Sequence, residues 1–214
     1  SASKAATELA FKAYAASFLD ARPDLGAATT RAGNVIGGGD WAADRLIPDA
    51  VRAFSEGRPL LIRNPDAVRP WQHVLEPVTG MITLAERLVE TPDSAAGSWN
   101  FGPEESDSRT VSWVADKLVD AWGQGAHWTS IDDRGPHEAK FLTLSSAKAK
   151  AELGWRPLWR AEEAIPLTAE WYRAFYEGAN MTTFTEHQIS SFVKGKNRGK
   201  QYSAKAAVQS RAVA

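Results

Sequence analysis

No cysteine occurs among the 214 residues. Disulfides and thiolate metal sites are therefore excluded, and a reducing compartment such as the cytoplasm fits. A charge excess is missing too. The 25 Lys and Arg against 26 Asp and Glu leave a formal net charge of -1, which gives no electrostatic reason to expect nucleic acid or a membrane surface as partner. No apolar run approaches the roughly 20 residues that a membrane span needs. The opening Ser1-Ala2-Ser3-Lys4 has no initiating methionine and no apolar core of a secretion signal. Metal ligands are sparse as well: His73 with Glu76, and His127 with His137, lack a third or fourth partner at a recognisable spacing, so no metal is expected. What is present is a hydrophobic fraction of 43%, enough for a real core in one large domain or one and a half small ones.

The pattern along the chain alternates helices and strands. A helix is expected over 3–20, capped by Ser3, with Ala6, Leu9, Ala10, Ala13 and Ala16 on one side. A strand over 27–32 follows a turn set by Pro23 and Gly26. Leu46 to Glu56 reads as a helix with Leu46, Ile47, Ala50, Val51 and Phe54 inward, stopped by Gly57 and Pro59. Strands are expected at 60–63, 98–101, 127–131 and 141–144, and an extended stretch at 68–74. Helices are expected at 76–90, 110–122, from Ser145 or Ser146 to Gly154, and 162–177. Pro77 suits the first turn of its helix, where a missing donor costs nothing. This alternation predicts an α/β protein. Its first strand follows a helix with no strand before it, so the order predicts the C-terminal half of a parallel-sheet protein. From Val193 onward Lys194, Lys196, Arg198, Lys200, Lys205 and Arg211 stand unopposed by acids, which predicts a poorly ordered tail.

The stretch Thr30-Arg31-Ala32-Gly33-Asn34-Val35-Ile36-Gly37-Gly38-Gly39-Asp40-Trp41 carries the strongest local signal. A strand here dissolves into consecutive glycines, which let a backbone approach a ligand closely. The carboxyl end of a strand is where open α/β sheets bind ligands; the alternative is a flexible surface turn. Arg69, in Val68-Arg69-Pro70-Trp71, offers a fixed fork suited to a diphosphate, or else a surface ion pair. His73 lies on an apolar stretch and reads as a core histidine. Trp113, Trp122 and Trp171 sit at helical core spacings; Trp41 is the tryptophan expected in a pocket.

Several segments together resemble the extended short-chain dehydrogenase/reductase family, in its CDP-glucose 4,6-dehydratase branch. They are Ser1-Ala2-Ser3-Lys4-Ala5-Ala6, Arg31 to Trp41, Arg45-Leu46-Ile47-Pro48-Asp49, Val68 to Val74, Trp99-Asn100-Phe101-Gly102, Pro136-His137-Glu138-Ala139 and Leu153-Gly154-Trp155. The resemblance implies NAD as cofactor and CDP-glucose as substrate, oxidised at C4, dehydrated across C5 and C6, and reduced at C6. It implies that residues 1–35 end a Rossmann-type domain, that 36–180 form mainly a smaller nucleotide-sugar domain with segments returning to the parallel sheet, and that 181–214 are a C-terminal tail. Lys4 matches the lysine that holds the nicotinamide ribose beside a catalytic tyrosine. Ala32, Asn34 and Val35 match the segment passing the nicotinamide, with Asn34 also facing the substrate. Arg45, Leu46 and Pro48 match the cytidine side, Arg69 the diphosphate, Asn100 the sugar pocket, and Arg134, His137 and Glu138 the stretch closing over the nucleotide; Trp41 is expected in the substrate pocket. Where many relatives carry an arginine near position 139, Ala139 and Lys140 stand here, so the phosphate clamp is expected from Arg69 with Arg134 or Lys140.

The glycine-rich cofactor loop, the catalytic tyrosine and the acid/base pair of that family are expected upstream of Ser1, so the chain alone is expected to be inactive. Relatives often dimerise through two long helices, and the alanine-rich first helix predicts a homodimer. Two other readings stand beside this one: a UDP-sugar epimerase or GDP-mannose dehydratase, and a non-catalytic nucleotide-sugar-binding module.

Overall fold

The computed structural model describes residues 2–19, 21–22, 24–132 and 139–211, with side chains as far as 196. Helix α1 (Ala2–Phe18) leads through a turn into β1 (Ala28–Ala32), and after Gly33 into β2 (Asn34–Ile36). The glycine loop separates β2 from α2 (Leu46–Ser55), followed by β3 (Leu60–Ile62), β4 (Val68–His73), α3 (Leu75–Glu90) and the single turn α4 (Pro92–Ala95). Then come β5 (Gly97–Phe101), a 3₁₀ turn at Glu105–Asp107, β6 (Ser108–Thr110), α5 (Val111–Trp122), β7 (Trp128–Ser130), α6 (Ala147–Glu152), α7 (Ala161–Tyr176) and α8 (Met181–Arg211). β1 pairs with β5 and β3 with β7, both in parallel. The strands β2, β4 and β6 form a three-stranded sheet in that order, with β4 and β6 antiparallel. This is an α/β fold with parallel strand pairs, as the alternation predicts. Among the described residues no helix is long and apolar enough to cross a membrane.

The chain divides into two compact units. The first takes 1–35, 66–111 and 136–157. Its core gathers Leu84, Ala95, Trp99, Phe101, Ala149, Leu153 and Trp155. Phe101 meets Trp155 edge-on at 5.2 Å, and Gly80 of α3 lies flat against the Phe101 ring. The second unit takes 36–65, 112–135 and 158–214. Its core is built by α2, which buries Ile47, Pro48, Ala50, Val51, Ala53 and Phe54 at helical spacing, and by Val114, Leu118, Trp122, Ile165, Ala169, Tyr172 and Phe192.

The structure corrects several sequence expectations. Ser3 does not cap α1, which already starts at Ala2; the Ser3 carbonyl instead accepts the Thr7 hydroxyl inside the helix. None of α1 is buried, so the side that carries Ala6, Leu9, Ala10, Ala13 and Ala16 is exposed, with Leu9 69% exposed. Residues 141–144 are not a strand: Phe141 makes one isolated bridge to Val68. Of the two serines expected to cap α6, Ser145 accepts the Ala147 amide at 3.4 Å, while the Ser146 hydroxyl donates to the Gly102 carbonyl instead. Residues 181–214 were expected as a C-terminal tail; of these, Met181–Arg211 form helix α8, grouped with the second unit. Good helix formers (Lys, Gln, Arg and Ala) dominate that basic stretch, which outweighs its lack of apolar periodicity.

Candidate functional site

In the first unit the candidate residues ride on paired strands. β1 and β5 run in register, so that Arg31 opposes Asn100 and Ala32 opposes Phe101. Asn34, half-buried, and Val35, exposed, lie on β2, the neighbour of β4, which carries Arg69. The corner between β1 and β2 comes so close to β4 that a Cβ on Gly33 would stand 2.4 Å from the Pro70 carbonyl oxygen. That packing brings Asn34 and Arg69 onto adjacent strands, as the sequence reading requires. Arg69 is buried and not at the surface: it is 6% exposed, it opposes Arg109 across β4 and β6, and its Nη1 donates to the Val68 carbonyl at 2.8 Å. Lys140 is exposed, and its carbonyl accepts the Val68 amide at 2.8 Å, which sets it at the start of the Arg69 strand. Lys4 is exposed in the first turn of α1.

Two buried carboxamide oxygens of this unit have no hydrogen-bond partner, Asn100 Oδ1 and Gln72 Oε1. Their amide ends are fixed: Asn100 Nδ2 donates to the Ser145 carbonyl at 3.1 Å, and Gln72 Nε2 to the Phe101 carbonyl at 2.8 Å. A buried acceptor left unmade is costly, so both oxygens are set up to receive a donor from a ligand or a water. His73 is a core histidine: it is 2% exposed, its Nδ1 accepts the Leu75 amide at 3.3 Å, and burial pushes the imidazole down to about 4. Among the described residues no three of His, Asp and Glu are grouped to hold a metal ion.

In the second unit the candidates surround a loop. Asp40 Oδ1 accepts the Ala42 amide at 3.0 Å, and Asp40 Oδ2 accepts Arg45 Nη1 at 2.8 Å. Burial works to raise the Asp40 carboxyl, but the Ala42 amide and the Arg45 guanidinium outweigh it and hold it below the usual carboxylate range. Arg52 donates to the Trp41 carbonyl at 3.0 Å and pairs with Asp49. Trp41, 41% exposed, meets Phe175 at 4.9 Å and the Tyr172 ring edge-on at 5.2 Å. Arg45 is exposed at the start of α2, Leu46 is half-buried, and Pro48 is turned into the core. Trp122 is a core residue, while Trp113 and Trp171 are half-buried. Arg134, His137 and Glu138 lie outside the described residues.

Sequence reasoning missed Glu8, Gln72 and Tyr172. Glu8 accepts the Thr29 hydroxyl at 2.9 Å and the Ser98 hydroxyl at 3.0 Å, two side chains that strand register sets side by side. The Thr29 bond, with Ser98 and Arg31 adding to it, holds the Glu8 carboxyl low against partial desolvation. Its place four residues after Lys4, on the same side of the helix, was the available signal. Gln72 and Tyr172 gave none, since each acts on backbone remote in sequence.

Residues 1–102 match the family described as NAD dependent epimerase/dehydratase family. Over 200 residues, 92% of this chain, the sequence is 42% identical to CDP-glucose 4,6-dehydratase of Salmonella typhimurium, covering 56% of that protein. It is 31% identical to dTDP-glucose 4,6-dehydratase of Streptomyces antibioticus, over 81% of this chain and 48% of that one. The chain thus spans about half the length of the curated relatives it matches. The fold resembles that of a UDP-glucose 4-epimerase from Stenotrophomonas maltophila solved with NAD (TM-score 0.66, 18% identity, 81% of this chain and 55% of that one). It also resembles a dTDP-glucose 4,6-dehydratase from Streptomyces venezuelae solved with NAD (TM-score 0.65, 23% identity, 84% and 52%). The chain thus carries in residues 1–102 a match to the NAD dependent epimerase/dehydratase family, and along most of its length it is similar to a sugar-nucleotide dehydratase.

Proposed function

We propose that the chain supplies the substrate-binding part of an enzyme that dehydrates CDP-glucose to CDP-4-keto-6-deoxyglucose. The observation that carries this reading is the gap in similarity: 42% identity to the CDP-glucose dehydratase against 27% and 31% to the two dTDP-glucose dehydratases. The cation set fits a nucleotide diphosphate. On this reading Arg69 and Lys140 would face its phosphates, and Arg45, Trp41, Leu46 and Pro48 would shape the cytidine side.

NAD, when bound, would take up the hydride from C4 and give it back at C6. Lys4 would hold its nicotinamide ribose through ammonium donors, with Ala32, Asn34 and Val35 along the ring. The work of this chain is to fix the charged handle of the substrate, so that the hexose meets the cofactor at reacting distance. No Tyr-x-x-x-Lys pattern occurs in the 214 residues, so by itself the chain would bind the nucleotide sugar without turning it over. A cysteine-free chain fits a reducing compartment such as the cytoplasm. Its macromolecular partner would be a second copy: Leu9, Tyr14 and Phe18 on α1, and Val78, Met81, Ile82 and Val89 on α3, are all exposed, a pattern suited to helix pairing across a dimer.

Titration calorimetry with CDP-glucose, dTDP-glucose, UDP-glucose and GDP-mannose tests the reading. CDP-glucose should bind at least tenfold more tightly than the others. Equal or tighter binding of any other sugar nucleotide would defeat the cytidine assignment.

A further inference from the structure

The glycine loop that leads to Arg45 is gripped from a helix far away in sequence. The Tyr172 hydroxyl on α7 donates to the Asp40 carbonyl at 2.6 Å and accepts the Asp40 amide at 3.0 Å. Both backbone groups of one loop residue thus end on one phenol, which is fully buried and pushed up to about 12, chiefly by burial, so it stays protonated. The next side chain toward the N-terminus of the helix completes the grip. A Cβ on Gly38 would stand 2.0 Å from the Trp171 ring, so the loop backbone lies directly on the indole. Trp171 is itself held, its Nε1 donating to the Thr185 hydroxyl at 2.9 Å. From Asp40 the restraint passes outward through its carboxylate, which binds the Ala42 amide and the Arg45 guanidinium. Arg45 is the exposed end of this chain of contacts, and its own backbone is extended at the start of α2.

We infer that Tyr172 is a positioning residue: by clamping both backbone groups of Asp40 it sets the glycine loop, and through the Asp40 carboxylate it aims Arg45 at the nucleotide of the substrate. Five glycines and alanines among residues 37–43 leave this loop with little side chain of its own to pack. Without the phenol the loop would sample many backbone states, and the ligand would have to select one of them at a cost in affinity. The inference rests on the nucleotide-sugar reading for its ligand, but the clamp itself is testable without one.

The test is Tyr172→Phe in the protein as its gene encodes it, read by CDP-glucose calorimetry and by hydrogen exchange. The phenyl ring keeps the packing and removes both hydrogen bonds. Affinity should fall about three- to tenfold, and amides of residues 37–42 should exchange faster while those of α2 do not change. In an Arg45→Ala background the same substitution should shift affinity by less than about twofold, because the group it aims is gone. Asp40→Ala should lower affinity with exchange of Gly38 and Gly39 unchanged, and it carries the test of the carboxylate link if Tyr172→Phe does not accumulate folded. The inference is overturned by unchanged affinity and loop exchange in Tyr172→Phe, by independent effects of Tyr172 and Arg45, by faster exchange of α2 together with the loop, or by unchanged affinity in Asp40→Ala. If the parent protein ignores CDP-glucose, the nucleotide-sugar reading fails, and the exchange measurement alone decides whether the clamp exists.

Discussion

The two units hold their polar groups in different ways. In the first, Glu8, Asn100, Gln72 and Arg69 sit on or against strands whose register is fixed by backbone pairing, and the obstacles around them are themselves backbone, as at Gly33 beneath the Pro70 carbonyl. In the second, Asp40, Trp41 and Arg45 sit on a loop with no ladder of its own, and the restraint is a pair of aromatic side chains, Trp171 and Tyr172. A strand-borne group is placed by many cooperative bonds and is hard to move. A loop-borne group is placed by one or two side chains and can be released by a single substitution.

That contrast can be broken at three points. The largest effect is expected at Gly33→Ala: the new methyl meets a carbonyl that belongs to a paired strand and cannot swing away. Urea unfolding should show a loss of about 3 kcal/mol; a loss near zero would mean the β1–β2 corner yields as easily as a loop. Next comes acid sensitivity of the first unit through His73. Its pKa is depressed to about 4 from 6.5, so the unfolded chain binds the proton first. Stability from this group is complete above 6.5 and is lost as pH falls from there toward 4. Unfolding at pH 5 should cost about 2 kcal/mol less than at pH 7.5 from this residue alone, and His73→Gln should flatten that slope. A parallel slope in the variant would assign the acid lability elsewhere. The smallest effect is expected at Gly38→Ala, about 1.5 kcal/mol, because the obstacle is a side chain and not paired backbone, although Trp171 can give way only by letting go of Thr185. In a Trp171→Ala background the cost should vanish; if it persists, the loop is held by its backbone after all and the contrast with Gly33 dissolves.

Where periodicity was strong, the chain was readable. Leu46, Ile47, Ala50, Val51 and Phe54 announced α2 and its buried face, and β1, β4 and β5 lie where β-branched and aromatic runs between turn residues predict them. Asn34 and Arg69, read from two separate segments of the sequence, lie on neighbouring strands. Helix α1 was readable as a helix, and none of it is buried, since an apolar stripe states that a face wants cover and not what covers it. The loss of the 141–144 strand has a similar cause: an apolar run is extended, yet only a partner edge makes it a strand, and Phe141 finds just one bridge. The run from Val193 lacked apolar periodicity but not helix formers, and propensity carried the helix on.

Local chemistry in the sequence determined the element types, the absence of thiol chemistry, the glycine loop at the end of a strand, and the presence of guanidinium groups around it, since each depends on neighbours within a few positions. Tertiary structure decided that Arg69 is buried and Arg45 exposed, that Asn100 and Gln72 keep an acceptor free, and that a tyrosine 132 residues away holds Asp40. Those facts depend on which surfaces meet, and burial and hydrogen-bond satisfaction are properties of the packed chain rather than of any stretch of it.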